Sequence, residues 1–133
     1  MNSDHLSVLY LVGLTYAGAA LRVFVSEYLN KKHPHFYVGT CVCNMCGSVL
    51  SAVAFVIQQA QKGTEPFVSF NALLSAVISG FSAAFTTMST YAKETVHLQE
   101  ENYSWFITYS WCSVLISFVL CILVFSFSVH TFL

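Results

Sequence analysis

The sequence predicts an all-α membrane protein with four transmembrane helices, and three observations lead to that prediction. Of its 133 residues, 56% are hydrophobic and only 8% are charged, whereas a soluble domain carries about 25% charged residues. Four apolar segments are long enough for membrane helices, which need about 20 residues each. The linkers between them are short, so consecutive helices should be antiparallel neighbours.

The four apolar segments follow one another in a single domain that spans residues 1–133. We place them at about residues 6–25, 36–58, 67–91 and 104–132, with polar linkers at 26–35, 59–66 and 93–102. The third segment is interrupted between Gly80 and Thr90, where hydroxyl side chains crowd an apolar run. A helix break there would free backbone carbonyl and amide groups, which membrane proteins use to hold ions.

The charged and reactive residues exclude several classes of function. Five Lys and Arg residues are too few for a nucleic-acid-binding surface. We find no nucleotide loop, catalytic triad or metalloprotease motif, and we therefore predict no enzyme. Cys41, Cys43 and Cys46 point three ways on a helix, so we interpret them as small apolar side chains. Glu27 and Glu94 fall at segment ends, which argues against a proton-coupled transporter with an embedded carboxylate.

Hydroxyl and amide side chains form a one-sided row on three of the four segments. The rows are Thr40, Asn44, Gly47, Ser48 and Ser51 in the second segment, Ser75, Ser79 and Ser82 in the third, and Tyr109, Ser113 and Ser117 in the fourth. One such row is ordinary helix packing through small residues and hydroxyls. Three rows favour the alternative, which is a lined pathway through the membrane.

The residues of this lining indicate a small anion as the solute. Hydroxyls, an amide and aromatic ring edges can replace the water around an anion, and the acidic rings typical of cation pores are absent. Arg22 and Lys93 would raise the anion concentration at a mouth. Inward-facing carbonyls at the helix break would favour a bound cation such as sodium. The residues alone therefore leave open whether the anion pathway also contains a bound cation.

The same residues resemble the Fluc/CrcB family of fluoride channels over nearly the whole chain. Gly18-Ala-Ala-Leu-Arg22 is similar to the family's Gly-Ala-Leu-x-Arg, and residues 39–48 are similar to Gly-Thr-x-x-x-Asn-x-x-Gly-Ser. Residues 80–94 resemble Gly-Phe-x-Gly-Gly-x-Thr-Thr-Phe-Ser-Thr-Phe-x-x-Glu. Tyr109, Ser113 and Ser117 match the Tyr and the two Ser of the family's fourth helix.

The resemblance implies an antiparallel, dual-topology dimer in the plasma (inner) membrane, surrounded by lipid, that passively exports fluoride and relieves its toxicity. Arg22 would lie at a vestibule, and the backbone carbonyls of Ala83 and Thr86 would hold a central structural Na+. The implied anion pathway contains Thr40, Asn44, Met88, Thr90, Tyr91, Glu94, Tyr109, Ser113 and Ser117. Within it, the resemblance implies that Thr40, Thr90 and Glu94 form a polar cluster near the far end of the pore.

The chain departs from the family pattern at the break. Met88 and Tyr91 replace two Phe residues, and Ala83-Ala84 replaces a Gly pair, which alanine disfavours wherever φ is positive. Two interpretations stay open: a homodimeric channel, or one half of a heterodimer with a paralogue, whose own pore is degenerate. A small multidrug exporter would need a mid-membrane Glu in the first helix, and a structural subunit of a membrane complex would carry no flux.

Overall fold

The chain folds into helices of membrane length. The computed structural model describes residues 3–33, 36–61 and 68–132, and it contains no strand within these ranges. Four helical stretches are long and apolar enough to cross a membrane, namely His5–Lys32, Val38–Ala60, Phe70–Glu101 and Tyr103–Ser128. The predicted all-α fold with four transmembrane helices is confirmed, and the chain is a multi-pass membrane protein.

The first two helices form a hairpin whose first helix extends beyond its apolar segment. Helix α1 is Ser3–Lys32 and helix α2 is Val38–Ala60. The predicted linker 26–35 is wrong up to Lys32, because hydropathy detects the part of a helix in lipid and not the helix end. Lys31 and Lys32 lie in the last turn, where cations interact favourably with the helix dipole. Residues 34–35 and 62–67 lie outside the described residues. They contain the end of that linker, most of the predicted 59–66 linker and the predicted start of the third segment.

The third membrane helix is interrupted, as predicted, between Gly80 and Thr90. Helix α3 (Val68–Ala76) continues into a π-helical segment (Val77–Ser82) and a short helix α4 (Ala83–Phe85). Thr86 and Thr87 are then extended, with φ, ψ of −77°, 156° and −150°, 120°. Helix α5 begins at Met88, and the Thr87 hydroxyl accepts a hydrogen bond from the Thr90 N–H at 3.3 Å. The chain thus restarts a helix inside the bundle with a threonine cap.

The segment predicted as a charged loop, residues 93–102, is helical up to Glu101. Helix α5 spans Met88–Glu101 and helix α6 spans Tyr103–Phe132. Asn102 alone separates them: its N–H bonds the Leu98 carbonyl at 2.8 Å, and its Oδ1 accepts from the Ser104 N–H at 3.0 Å. Because one residue ends the first helix and caps the second, no longer loop is needed, and the polar sequence is the exposed face of α5.

Glycines permit close helix contacts beside both polar regions of the subunit. A Cβ added to Gly39 would lie 2.6 Å from the Ser26 Cα in α1. A Cβ added to Gly47 would lie 2.5 Å from the Thr86 Cγ2 at the break. Gly13, in contrast, faces open space on α1, with no heavy atom within 4 Å of an added Cβ. Gly39 and Gly47 therefore bring α2 against α1 and against the interrupted helix.

Candidate polar pathway

Asn44 holds the break in the third membrane helix through both ends of its side-chain amide. Its Oδ1 accepts from the Thr87 N–H at 2.7 Å, and its Nδ2 donates to the Thr87 carbonyl at 3.3 Å. The Thr87 N–H loses its helical partner where the chain becomes extended, whereas the Thr87 carbonyl, at the N-cap of α5, already accepts the first hydrogen bond of that helix. Because an unpaired backbone group is costly away from water, the amide oxygen replaces the missing partner of the Thr87 N–H. One Nδ2 hydrogen remains for another acceptor.

The break also changes the surroundings of the Ala83 carbonyl. In a continuous helix this carbonyl would accept from the N–H of residue 87, but Asn44 takes that N–H. The Ala83 oxygen instead receives the Thr86 hydroxyl at 3.4 Å. Ala83 has φ −64° and ψ −35°, so alanine is unstrained there and the substitution of the family glycine carries no conformational penalty. A carbonyl freed in this way is chemically suited to a hard cation such as Na+.

Four helices meet at the buried carboxylate of Glu94. The Thr40 hydroxyl of α2 and the Tyr109 hydroxyl of α6 donate to its two oxygens, each at 2.6 Å. Asn30 of α1 adds an Nδ2 donor at 3.3 Å from Oε1. We call Asn30, Thr40, Glu94 and Tyr109 the Glu94 cluster. Thr40 and Tyr109 are 0% exposed and Glu94 is 7% exposed, so the carboxylate and its two hydroxyl donors are buried between the helices.

Two sequence-based placements near this cluster need correction. Glu94 is not at a segment end, because α5 continues to Glu101 and the side chain is buried. The interpretation that Glu94 falls at a segment end was therefore wrong. Thr90 was expected beside Thr40 and Glu94, but the contacts of its side chain and its N–H are with the Thr87 hydroxyl, at 3.1 and 3.3 Å. Thr90 belongs to the break and not to the Glu94 cluster.

Aromatic rings surround Tyr109 and connect the cluster to α5. Tyr109 makes edge contacts with Phe36 and Tyr37 at centroid distances of 5.2 and 6.0 Å. The Tyr91 ring lies 5.4 Å from it, and the Tyr91 hydroxyl donates to the Ser110 carbonyl at 3.2 Å. Burial, with the nearby Glu94 and Glu101 charges, raises the pKa of Tyr37. Tyr37 therefore stays a neutral phenol, and its hydroxyl lies 3.1 Å from His97 Nδ1.

The remaining predicted residues lie along α6, on α1 and at the outside of the break. Ser113 is buried, and Ser117 donates to its carbonyl at 2.8 Å. Arg22 is half-buried on α1, where its backbone carbonyl faces the Cys43 thiol at 3.9 Å. Met88 is 74% exposed, so its side chain faces away from the helices of its own subunit.

Asn30 is the member of this site that sequence reasoning missed. Its position was interpreted as a linker because the first segment was ended at Val25. A signal was present, since Arg22, Ser26 and Asn30 recur every four residues and form one stripe on an extended helix. That stripe faces α2, as the contacts of Ser26 and Asn30 with Gly39 show.

An apolar groove of about 720 Å³ runs along the break between α2 and α6. Gly47, Ser82, Ala83, Thr86 and Phe118 are among its lining residues. The groove brings the freed Ala83 carbonyl region to the surface of the subunit. A second protein surface or lipid must fill such a groove in a membrane.

Comparisons with known proteins identify relatives over most of the chain. A family model described as "CrcB-like protein, Camphor Resistance (CrcB)" matches residues 9–125. The "Fluoride-specific ion channel FluC" of Campylobacter lari is 33% identical over 110 residues, which are 81% of this chain and 82% of the relative. Proteins of the same name from Campylobacter jejuni and Burkholderia thailandensis are 36% identical over 101 residues and 35% identical over 89 residues. These alignments cover 74% and 66% of this chain, and 78% and 66% of the relatives.

The matched residues 9–125 include the broken third helix, Asn44 and the four residues of the Glu94 cluster. The resemblance predicted from the motifs is confirmed: this chain belongs to the CrcB family.

Proposed function

We propose that this chain is a subunit of a fluoride-selective ion channel that exports fluoride passively across the plasma membrane. The observation that carries the proposal is its membership of a family whose relatives are named fluoride-specific ion channels. That family consists of channels and not of enzymes. Passive export needs no nucleotide and no catalytic group, because fluoride that enters as the neutral acid leaves as the anion.

The proposed anion path follows the donors between the break and the Glu94 cluster. Tyr109, Ser113 and Ser117 are spaced by four residues, so the row advances about 6 Å per step along α6. In the proposed path, Asn44 contributes the Nδ2 hydrogen that its contact with the Thr87 carbonyl leaves free. Hydroxyl hydrogens rotate about their C–O bonds, so these side chains can turn from their present acceptors towards an anion. Arg22 would attract anions to a vestibule.

Met88 and Tyr91 replace two Phe residues of the family pattern. We infer that the lining of the pore differs from that pattern at these two positions. Tyr91 keeps an aromatic ring and fixes it through its hydroxyl to the Ser110 carbonyl. Met88 has no ring, but its flexible side chain is exposed and free to contact a second subunit. In the proposed channel, Tyr91 supplies the ring edge and Met88 fills the space of the second ring.

The groove beside the break supports a dimer of this chain, with the two copies antiparallel. Its apolar lining and its volume suit the helices of a second copy. The Ala83 and Thr86 carbonyls of both copies would then hold the Na+, which supplies a fixed positive charge between two pores. The alternative is a heterodimer with a paralogue, in which the partner supplies the better pore.

Reconstitution of the purified chain alone tests the function. Liposomes loaded with potassium fluoride, or with potassium chloride as control, are opened to charge-balanced efflux by valinomycin and followed with ion-selective electrodes. We expect rapid fluoride efflux and no chloride efflux. Equal rates for both ions would refute selectivity, and fluoride efflux only after co-reconstitution with a paralogue would refute the homodimer. Absence of efflux in both preparations would favour a structural subunit.

A further inference from the structure

Asn30 lies outside the residues that the family motifs assign, yet its side chain joins three helices. Its Oδ1 accepts from the Gly39 N–H at the start of α2, at 2.7 Å. Its Nδ2 lies 3.3 Å from Glu94 Oε1 in α5 and 3.5 Å from the Thr40 hydroxyl. The residue is itself in the last turn of α1 and half-buried. A single amide therefore links the α1–α2 hairpin to the buried carboxylate.

The three donors around Glu94 differ in their freedom to move. The Thr40 and Tyr109 hydroxyls each sit 2.6 Å from a carboxylate oxygen, and their hydrogens can rotate to another acceptor. The Asn30 amide is planar, and its oxygen end is held by the Gly39 N–H. Its N–H groups cannot turn away from Glu94 without breaking that 2.7 Å bond. Asn30 is thus the fixed donor and the hydroxyls are the movable donors.

An anion that reaches the cluster competes with Glu94 for the hydroxyl hydrogens. Each hydroxyl that turns to the anion removes a charge-assisted hydrogen bond from Glu94. A buried carboxylate with too few partners is costly, and its repulsion would drive the anion back or displace the Glu94 side chain. The Asn30 donor remains in place through this exchange, because it is not directed at the anion.

We propose that Asn30 is a positioning residue, which holds the Glu94 carboxylate in place while the Thr40 and Tyr109 hydroxyls turn towards the passing anion. This role rests on the proposed fluoride conduction, whereas the contact of Asn30 with Glu94 does not. The amide thereby lets the cluster exchange partners without losing the arrangement of its four helices.

A double-mutant cycle between Asn30 and Glu94 tests the proposal. Asn30→Asp is nearly isosteric, keeps the acceptor for the Gly39 N–H and replaces the donor that faces Glu94 with an oxygen. We expect it to lower the initial fluoride efflux about tenfold or more, since it pairs two acceptors in a buried site. In the Glu94→Gln background, Asn30→Asp should lower the initial fluoride efflux less than about twofold. The reason is that the side-chain amide introduced by Glu94→Gln can donate to the new carboxylate.

The matched control is Asn102→Asp, the same change at the exposed turn between α5 and α6. Asp also caps a helix, so we expect efflux equal to wild type. Wild-type efflux in Asn30→Asp would overturn the proposal. An equal fold decrease in fluoride efflux in both backgrounds would also overturn it, because the effect of Asn30→Asp would then not depend on Glu94.

Apparent melting temperatures of the four proteins in detergent give a second readout that needs no conduction. A decrease caused by Asn30→Asp with Glu94 present, and not in the Glu94→Gln background, supports the proposal even where Glu94→Gln alone stops efflux. Equal decreases overturn it. If the wild-type chain carries no fluoride, the proposed function fails, and the melting cycle still decides whether Asn30 positions Glu94.

Discussion

Two asparagines anchor the two polar regions of the subunit in the same way but use their remaining donors differently. Asn44 at the break and Asn30 at the Glu94 cluster each accept a backbone N–H at 2.7 Å, from Thr87 and Gly39 respectively. The Nδ2 of Asn44 returns to the Thr87 carbonyl, whereas the Nδ2 of Asn30 faces the Glu94 carboxylate. The Asn44 amide therefore contacts only backbone groups, whereas the Asn30 amide also contacts a side chain.

The difference indicates which region is fixed and which can rearrange. A helix that starts inside a membrane protein exposes N–H groups that water cannot satisfy, and both asparagines solve this problem. At the break, the oxygen and the nitrogen of the Asn44 amide both contact the Thr87 main chain, so the geometry is set by backbone groups. At the Glu94 cluster, two of the three donors are hydroxyls whose hydrogens rotate. We infer a rigid break and an adjustable cluster.

The largest expected effect is that of Asn44→Leu, which removes the contacts at the rigid region. It leaves the Thr87 N–H without its partner. Since a buried unsatisfied group costs about 1–3 kcal/mol, we expect the free energy of unfolding to fall by about 1–3 kcal/mol. Because the break would lose its geometry, fluoride efflux should fall more than about 100-fold, which corresponds to about 2.7 kcal/mol.

Apparent melting temperature and electrode traces of the same preparation measure both effects of Asn44→Leu. Asn44→Asp is the control, because it keeps the acceptor for the Thr87 N–H and should retain more of the stability. A melting temperature equal to wild type in Asn44→Leu would show that the amide does not hold the break.

An intermediate effect is expected from alanine at two of the close glycine contacts, Gly39 and Gly47, and it compares the two polar regions directly. In Gly39→Ala the new Cβ meets the Ser26 backbone at 2.6 Å, whereas in Gly47→Ala it meets the Thr86 side-chain methyl at 2.5 Å. Because backbone yields less than a methyl group, Gly39→Ala should cost more of the roughly 1–3 kcal/mol typical of overpacking. Melting temperatures rank the variants, with Gly13→Ala as the control. The opposite order would mean that the break is the tighter of the two regions.

The overall fold could be predicted from the sequence because the membrane constrains it strongly. Apolar segments of about 20 residues specify the spanning helices, and the hydroxyl cluster at residues 80–90 signals the interruption. The helix ends could not be predicted in the same way. Residues 26–32 and 93–101 are polar yet helical, because hydropathy reports the solvent around a helix and not its hydrogen bonds.

The polar site was predictable residue by residue only where a motif marked it. Asn44 stands out as a lone amide in an apolar segment, but its pairing with the Thr87 backbone depends on the extended conformation at residues 86–87. Glu94 looked superficial, and it is buried because α1, α2 and α6 converge on α5. Asn30 carried a periodic signal that becomes visible only when α1 is extended past Val25.

A moderate effect is expected from Tyr109→Phe, which removes a movable donor from the Glu94 cluster. The change keeps the ring contacts with Phe36 and Tyr91 but deletes the hydroxyl bonded to Glu94 at 2.6 Å. A hydrogen bond to a charged group contributes about 1.5–3 kcal/mol, so efflux should fall about tenfold to 100-fold while the protein remains folded. Tyr103→Phe, at an exposed tyrosine, is the matched control and should conduct like wild type. Unchanged efflux in Tyr109→Phe would remove this hydroxyl from the path.

The smallest expected effect is that of Tyr91→Phe. Tyr91 lies between the two regions, and the substitution restores the Phe of the family pattern. The lost hydrogen bond to the Ser110 carbonyl, at 3.2 Å, joins neutral groups and contributes about 0.5–1.5 kcal/mol. The ring stays next to Tyr109, so fluoride efflux should change less than about tenfold, which is near the upper end of that energy range. Chloride should remain excluded. An increase in efflux above tenfold would mean that the hydroxyl restrains the ring during conduction, and the adjustable region would then extend from the Glu94 cluster into the start of α5.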